Sequence, residues 1–167
     1  MTSATVTAAA VRALVAGVAD PEIPVLTIDD LGVLREVSVD QAGRVRVDIT
    51  PTYSGCPAME TIRADVAQRL ADTGHDDVEV RLVLTPAWTT DWLSQQGRQR
   101  LADYGIAPPT GLAAVLEPAP VEVRLSVRCP QCGSPDTREL SRFGSTACKS
   151  LWRCLACREP FDHFKAY

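Results

Sequence analysis

Two closely spaced cysteine pairs constrain the C-terminal part of this chain more than any other feature. Cys129 and Cys132 form one C-x-x-C pair, Cys154 and Cys157 form another, and 21 residues separate the two. Each C-x-x-C turn directs two thiolates at one point, so two turns complete a tetrahedral zinc site. The separation is slightly longer than the usual span of about 15–20 residues, which lengthens the intervening hairpin. We predict a structural Zn²⁺ bound by these four cysteines.

Other uses of the same thiols stay open from the spacing. An iron–sulfur cluster could be bound by the same four cysteines, whereas disulfides are disfavoured in a reducing compartment. A catalytic zinc is disfavoured because four protein ligands leave no open position. Cys148 is a fifth thiol near these pairs. It fits either a small apolar core residue or an auxiliary ligand or redox thiol beside Lys149.

Charge and hydropathy narrow the class of protein. Residues 1–116 carry 9 Arg and 15 acidic residues, whereas residues 117–167 carry 8 basic and 6 acidic residues. An acidic body argues against nucleic acid as a partner, and the slight basic excess of the tail is weak support for it. No apolar run approaches the roughly 18 residues of a membrane helix, and the N-terminus lacks a basic region before its apolar part. We therefore expect a cytoplasmic protein without membrane contact.

Hydrophobic periodicity predicts an α+β fold. The order α-β-β-α-β-α indicates a small sandwich domain followed by a C-terminal zinc β-ribbon. We predict a main domain over residues 1–105, a Pro-rich linker or strap over 106–123, and a four-cysteine ribbon over 124–167. The predicted elements are a helix over 5–18, a hairpin of strands 34–40 and 45–50, a helix ending near Gly74, a strand over 78–84 and a helix over 90–104.

Cys56 stands apart from the other cysteines, in the loop PTYSGCPAM between a predicted strand and a predicted helix. A thiol at a helix N-terminus is close to the positive end of the helix dipole, which predicts a lowered pKa and more thiolate. Hydroxyl donors could come from Thr50, Thr52 and Ser54. A buried, inert cysteine is an equally good interpretation of position alone.

Two acidic residues are candidates to act with Cys56. Asp20 and Glu22 lie in the proline-rich segment DPEIP, and either they are solvated loop acids or they share an iron or zinc site with the thiol. Neither His75 nor His163 has the neighbourhood of an acid–base or nucleophilic residue, and no phosphate-binding glycine loop occurs. The residues thus favour a protein that carries or delivers something over an enzyme, and no catalytic residue is assigned.

Longer motifs resemble known families. DPEIPVLTIDDLGVLREVSVD together with DITPTYSGCPAM resembles the iron–sulfur assembly domain of SufT-type proteins and of the cytosolic iron–sulfur targeting factors. The tail CPQCGSPDTRELSRFGSTACKSLWRCLACREPFDHFK resembles the C-terminal region of the PaaD family, as does PAWTTDWLSQQGRQRLADYGIAPP. The resemblance covers nearly the whole chain from about residue 11 onward.

This resemblance implies a function. The family's reactive cysteine falls on Cys56 and its acidic motif on Asp20 and Glu22, which implies a transient iron or iron–sulfur site. The implied role is an accessory or maturation factor for the phenylacetyl-CoA monooxygenase (ring epoxidase), with its reductase and di-iron oxygenase components as partners. The alternative is a non-catalytic structural subunit that docks through its ribbon. An exposed strand edge could support a homodimer, and the aromatic and basic residues of the tail could form a contact patch: Phe143, Trp152, Phe161, Phe164 and Lys165.

Overall fold

The computed structural model describes residues 7–109 and 127–166. The chain divides into two compact units. One extends to Trp88 and includes Trp92–Ser94, and the other comprises Thr89–Asp91 and the chain from Gln95 onward. The elements are α1 (Ala8–Val15), β1 (Leu34–Val39), β2 (Val45–Ile49), α2 (Ala58–Ala71), β3 (Val78–Leu82), a 3₁₀ helix (Thr90–Trp92), α3 (Gln95–Asp103), β4 (Ile106–Ala107), β5 (Thr137–Ser141), β6 (Lys149–Cys154) and β7 (Pro160–Phe164).

The first unit is built on a three-stranded sheet of order β1-β2-β3. The predicted hairpin is confirmed: β1 and β2 are antiparallel, and Gly43 adopts a φ of 86° in the turn between them. β2 and β3 run parallel, and α2 is the crossover that connects them. A parallel pair needs such a crossover because its strands start at the same end of the sheet.

The core of this unit lies between the sheet and the two helices. α1 packs on β1 and on α2, and α2 packs on β3. Alternation along β2 directs its apolar side chains to one face, and the helices bury residues spaced by three or four. The fully buried side chains from these elements are Val11, Val15, Val45, Val47, Ile49, Ile62, Val66 and Leu70.

The predicted helix over residues 90–104 is interrupted. The N–H of Ser94 donates to the carbonyl of Asp30 (2.8 Å) instead of to a carbonyl one turn earlier, and its hydroxyl donates to the Asp30 carboxylate (3.0 Å). The backbone of Trp92 also approaches Gly32, whose φ is 69° and whose added Cβ would lie 2.6 Å from the Trp92 Cβ. These long-range contacts explain why a 3₁₀ helix precedes α3.

The second unit contains a four-stranded sheet of order β4-β7-β6-β5. β4 pairs with β7 in parallel, and α3 packs on β4. The structure therefore divides the chain before α3, whereas we predicted a main domain up to residue 105 and a linker starting at residue 106. Most of the predicted linker, residues 110–123, lies outside the described residues.

The predicted fold class is confirmed, because an α+β unit is followed by a unit whose four-stranded sheet carries the clustered cysteines. Within residues 7–109 and 127–166, no helix combines the length and apolar character needed to cross a membrane.

Candidate metal centre and cysteine loop

The four paired cysteines converge in the second unit. Their sulfur atoms all lie within 4.8 Å of one another. The Cys129–Cys157 sulfur distance is 3.7 Å and the Cys132–Cys154 distance is 3.6 Å. A tetrahedral site with Zn–S bonds of about 2.3 Å separates its sulfurs by about 3.8 Å. The geometry therefore fits one Zn²⁺ bound by four thiolates, as predicted.

Backbone hydrogen bonds shape both cysteine turns. The N–H of Gly133 donates to the carbonyl of Cys129 (2.8 Å), and Gly133 adopts a φ of 73° that suits glycine. In the second turn the N–H of Cys157 donates to the sulfur of Cys154 (3.4 Å). This bond, with a second from the N–H of Ala156, lowers the pKa of Cys154 to about 6. The Glu159 backbone hydrogen bond lowers the pKa of Cys157 in the same turn, but burial and the neighbouring thiols raise it by more, so Cys154 is the thiol of this turn that ionises readily.

The sulfur–sulfur distances also distinguish a single metal ion from an iron–sulfur cluster at this site. An iron–sulfur cluster distributes its cysteines over several iron atoms, which separates the sulfurs more widely than one ion does. The compact arrangement of Cys129, Cys132, Cys154 and Cys157 thus favours a single ion. The site also completes a small apolar cluster of the second unit, in which Cys129 and Cys154 pack with Ala107, Val127 and Phe161.

Cys148 is not gathered into this site. Its side chain is buried, and its sulfur lies 3.0 Å from the hydroxyl oxygen of Thr146. Within the described residues, the compact group of candidate metal ligands contains the four paired cysteines and not Cys148. The structure supports the interpretation of Cys148 as a packed core residue.

Cys56 lies in a tight turn that leads into α2. The N–H of Cys56 donates to the carbonyl of Tyr53 (3.3 Å), and Gly55 adopts a φ of 80° at the third position of the turn. A positive φ at this position is typical of a type II turn and favours glycine. Pro57 is the N-cap of α2, so Cys56 lies just before the helix. The side chain of Cys56 is half-buried.

Asp20 and Glu22 lie in a loop that closes on itself. Ala19 and Thr27 form an isolated β-bridge, and Ile23 and Leu26 are buried beneath the loop. One carboxylate oxygen of Asp20 accepts the N–H groups of Glu22 (2.8 Å) and Ile23 (2.7 Å). The Asp20 carboxylate therefore stabilises the conformation of its own loop.

The structure brings the thiol and the two acids into electrostatic contact. Burial raises the pKa of Cys56, and the negative charges of Glu22 and Asp20 raise it further. The N–H of Ala58 and the side chain of Tyr53 form hydrogen bonds that oppose these effects without reversing them. Our prediction of a lowered pKa was therefore wrong, because burial and two carboxylates outweigh the N-terminal N–H groups of the helix.

Tyr53 is the residue that sequence analysis missed. We named three nearby hydroxyl groups, yet Tyr53 forms the side-chain hydrogen bond to the Cys56 sulfur. Tyr53 precedes Cys56 by three residues, with Ser54 and Gly55 between them. This spacing was the available signal, because a turn of this kind brings its first and fourth residues together. Among the described residues, however, Cys56 and the acids do not form a compact ligand group like that of the four cysteines.

The predicted contact patch divides in two. Phe161 and Phe164 are buried and belong to the core of the ribbon. Phe143 is 70% exposed, and together with Trp152 and Lys165 it lines a groove on the ribbon surface.

Comparisons with known proteins match the N-terminal and C-terminal parts of the chain to two different families. Residues 8–87 match the profile of the iron–sulfur cluster assembly protein family, and residues 117–165 match the profile of the PaaD zinc beta ribbon domain. The chain is 50% identical over 153 residues to a protein of Escherichia coli that is assigned to the 1,2-phenylacetyl-CoA epoxidase as one of its subunits, covering 92% of this chain and 89% of that one. The chain belongs to the PaaD family.

Relatives of the first unit alone extend the comparison. The PaaD-family chain is 38% identical over 82 residues to the Fe–S protein maturation auxiliary factor SufT of Staphylococcus aureus, covering 48% of this chain and 92% of that one. A DUF59 domain from Bacillus anthracis superposes with a TM-score of 0.53 and 27% identity, covering 56% of this chain and 90% of that one. A conserved hypothetical protein from Thermotoga maritima superposes with a TM-score of 0.51 and 29% identity, covering 60% and 98%.

Proposed function

We propose that this chain is an accessory maturation factor of the phenylacetyl-CoA epoxidase complex in aerobic phenylacetate catabolism. It delivers or repairs an iron or iron–sulfur centre of a client subunit. The observation that carries this proposal is the half-buried Cys56, placed before α2 within reach of the charges of Glu22 and Asp20. The Escherichia coli relative and the SufT relative support the two parts of the proposal, the epoxidase and the maturation of Fe–S proteins.

The electrostatics of Cys56 suit a transient ligand for a cation. Its raised pKa keeps the sulfur protonated at neutral pH. An arriving Fe²⁺ replaces the thiol proton, which leaves to solvent, and forms a bond to the thiolate. Nearby carboxylates that disfavour a bare thiolate stabilise the positive charge of the ion. Because this chain supplies one sulfur ligand here, the remaining coordination positions stay open for the client's ligands.

The same proposal specifies the protein partners of this chain. The clients are the reductase component, which the family resemblance associates with a [2Fe–2S] centre, and the di-iron oxygenase component. The ribbon acts as the docking module. Among the described residues, β1 and β3 each pair with β2 alone, and one of these outer strands pairs with a second copy. We place the protein in the cytoplasm, where a reducing environment keeps its six cysteines free of disulfides.

The test is to express the Cys56→Ser variant in cells that lack the wild-type protein. The Cys56→Ser variant should keep its fold and its zinc but fail to restore the iron content and activity of the epoxidase components. Ser54→Ala is the matched control, because Ser54 lies exposed in the same loop, and it should restore both. Full restoration by Cys56→Ser would contradict the carrier proposal.

A structural subunit is the second candidate, favoured by the groove on the ribbon that Phe143 and Trp152 line. It predicts that the chain co-purifies in fixed stoichiometry with the oxygenase. It also predicts that Cys56→Ser has no effect on the iron content of either component.

A further inference from the structure

A groove of about 530 Å³ crosses one face of the ribbon sheet. Ser150 and Trp152 lie two residues apart on β6, so their side chains share a face. Their direct partners on the neighbouring strands are His163 on β7, opposite Ser150, and Glu139 on β5, opposite Trp152. The groove is therefore built on three paired strands, and its position is fixed by the sheet and not by a loop. Its lining is Glu139, Arg142, Phe143, Ser150, Trp152, His163, Lys165 and Ala166.

The floor of the groove contains an incomplete chain of hydrogen bonds. The indole N–H of Trp152 donates to the hydroxyl oxygen of Ser150 (2.9 Å), which lies 3.3 Å from Nδ1 of His163. Which of the Ser150 hydroxyl and Nδ1 donates in this contact depends on the imidazole tautomer. Nε2 is a buried nitrogen with no hydrogen-bond partner among the described residues, and His163 is 8% exposed. A buried polar nitrogen without a partner is costly, so the hydrogen bonding of the groove floor is incomplete among the described residues.

The rim of the groove carries an excess of positive charge. Arg142 and Lys165 contribute two cationic groups, and Glu139 contributes one carboxylate. The ammonium group of Lys165 lies 4.6 Å from the ring centroid of Phe143 and donates to the carbonyl of Ala147 (2.7 Å). Phe143 is thereby held beside Lys165, and its ring, 70% exposed, offers apolar surface next to that cation.

We propose that this groove binds an acidic side chain of a partner protein together with an adjacent apolar or aromatic side chain. The carboxylate pairs with Arg142 and Lys165 at the rim of the groove. The apolar neighbour packs on Phe143 and Trp152, as aromatic anchors do at protein interfaces. The inference rests on the proposed function only in requiring a protein partner, and it does not involve Cys56.

The local charges favour an acidic peptide over nucleic acid. A nucleic-acid groove follows a phosphate backbone with a series of cationic groups, whereas this groove has two cations and a carboxylate. Two cationic groups at the rim match a single carboxylate.

The test is a selection of random heptapeptides displayed on phage against the full-length, zinc-loaded chain. The enriched peptides should share an Asp or Glu next to an apolar or aromatic residue. A synthetic peptide of the consensus should bind about tenfold more weakly when its acid is replaced by the matching amide. No enrichment, or enrichment without an acidic residue, would overturn the proposal, as would tighter binding of a single-stranded RNA probe than of the peptide.

Variants of the rim locate the binding site. Arg142→Gln and Lys165→Gln should each weaken binding of the consensus peptide severalfold. Arg138→Gln is the matched control, because Arg138 is exposed on β5 and does not line the groove, and it should bind as the wild type does. If all three variants bound the consensus peptide with equal affinity, the peptide would bind outside the groove and the proposal would be overturned. Cys56 is intact in every rim variant. A rim variant can therefore lose peptide binding while keeping the carrier activity, so the two proposals fail independently.

Discussion

Glu22 raises the pKa of the Cys56 thiol although the two residues belong to different loops of the first unit. Burial has the larger effect in the same direction, and the charge of Asp20 adds to it. The thiol is therefore protonated at neutral pH. In the carrier role that we propose, it becomes a thiolate when a cation offsets these negative charges, which distinguishes it from a permanently reactive nucleophile.

Removing the charge of Glu22 should make Cys56 more reactive. The variant Glu22→Gln removes a negative charge, which lowers the thiol pKa and increases the thiolate fraction at a given pH. Alkylation of Cys56 by iodoacetamide at pH 7.5, followed by mass spectrometry, should be severalfold faster than in the wild type. Glu60→Gln is the control: Glu60 is an exposed acid in the first turn of α2, and its removal should change the rate little. An unchanged rate in Glu22→Gln would contradict the electrostatic coupling.

The purified chain should contain one tightly bound zinc ion. Cys132→Ser should lose that zinc and unfold the ribbon, because the apolar cluster around Cys129 and Cys154 is small and metal binding supplies much of the folding free energy of such units. Cys148→Ser should keep the zinc, since Cys148 does not belong to the ligand group. Elemental analysis with circular dichroism distinguishes the cases, and zinc loss in Cys148→Ser would assign that thiol to the metal centre.

Gly32 should tolerate no side chain. Gly32→Ala combines a positive φ with a Cβ only 2.6 Å from the Trp92 Cβ and 2.8 Å from the Trp92 carbonyl oxygen. We expect a loss of about 3 kcal/mol in the free energy of unfolding, from strain and steric overlap. Gly43→Ala is the control, because Gly43 has a φ of 86° but nothing within 4 Å of an added Cβ. It should lose about 1 kcal/mol, measured by urea denaturation, and equal losses would refute the role of the Trp92 contact.

The ribbon should lose stability in mild acid through His163. Burial lowers the pKa of His163 to about 4 from its ordinary value of 6.5. Between these values the unfolded chain binds a proton that the folded chain does not, so stability falls as the pH drops below 6.5 and levels off below 4. Between pH 7 and pH 5 the wild type should lose up to about 2 kcal/mol more than His163→Gln. An NMR titration that shows a midpoint near 6.5 for His163 would contradict this prediction.

Much of the fold was predictable because its determinants are local. Alternation in residues 34–39 and 45–49, with Gly43 between them, is sufficient to specify a hairpin. The spacing within each C-x-x-C pair likewise specified the zinc ligands, because a single turn brings both sulfurs together. The break before α3 was not predictable, since it depends on hydrogen bonds from Ser94 to the distant Asp30.

The protonation state of Cys56 and the groove on the ribbon were decided by tertiary structure. The sequence places Cys56 before a helix and thereby predicts a low pKa, but burial and the carboxylates of a separate loop produce the opposite shift. In the same way, aromatic residues that look equivalent in sequence separate into core and surface only when β5, β6 and β7 pair, so that Phe161 is buried and Phe143 is exposed. The sequence by itself determined the four clustered cysteines and most of the helices and strands, because these follow from the spacing of residues along the chain. Desolvation, charge and exposure depend on which distant segments meet, and only the folded chain decides that.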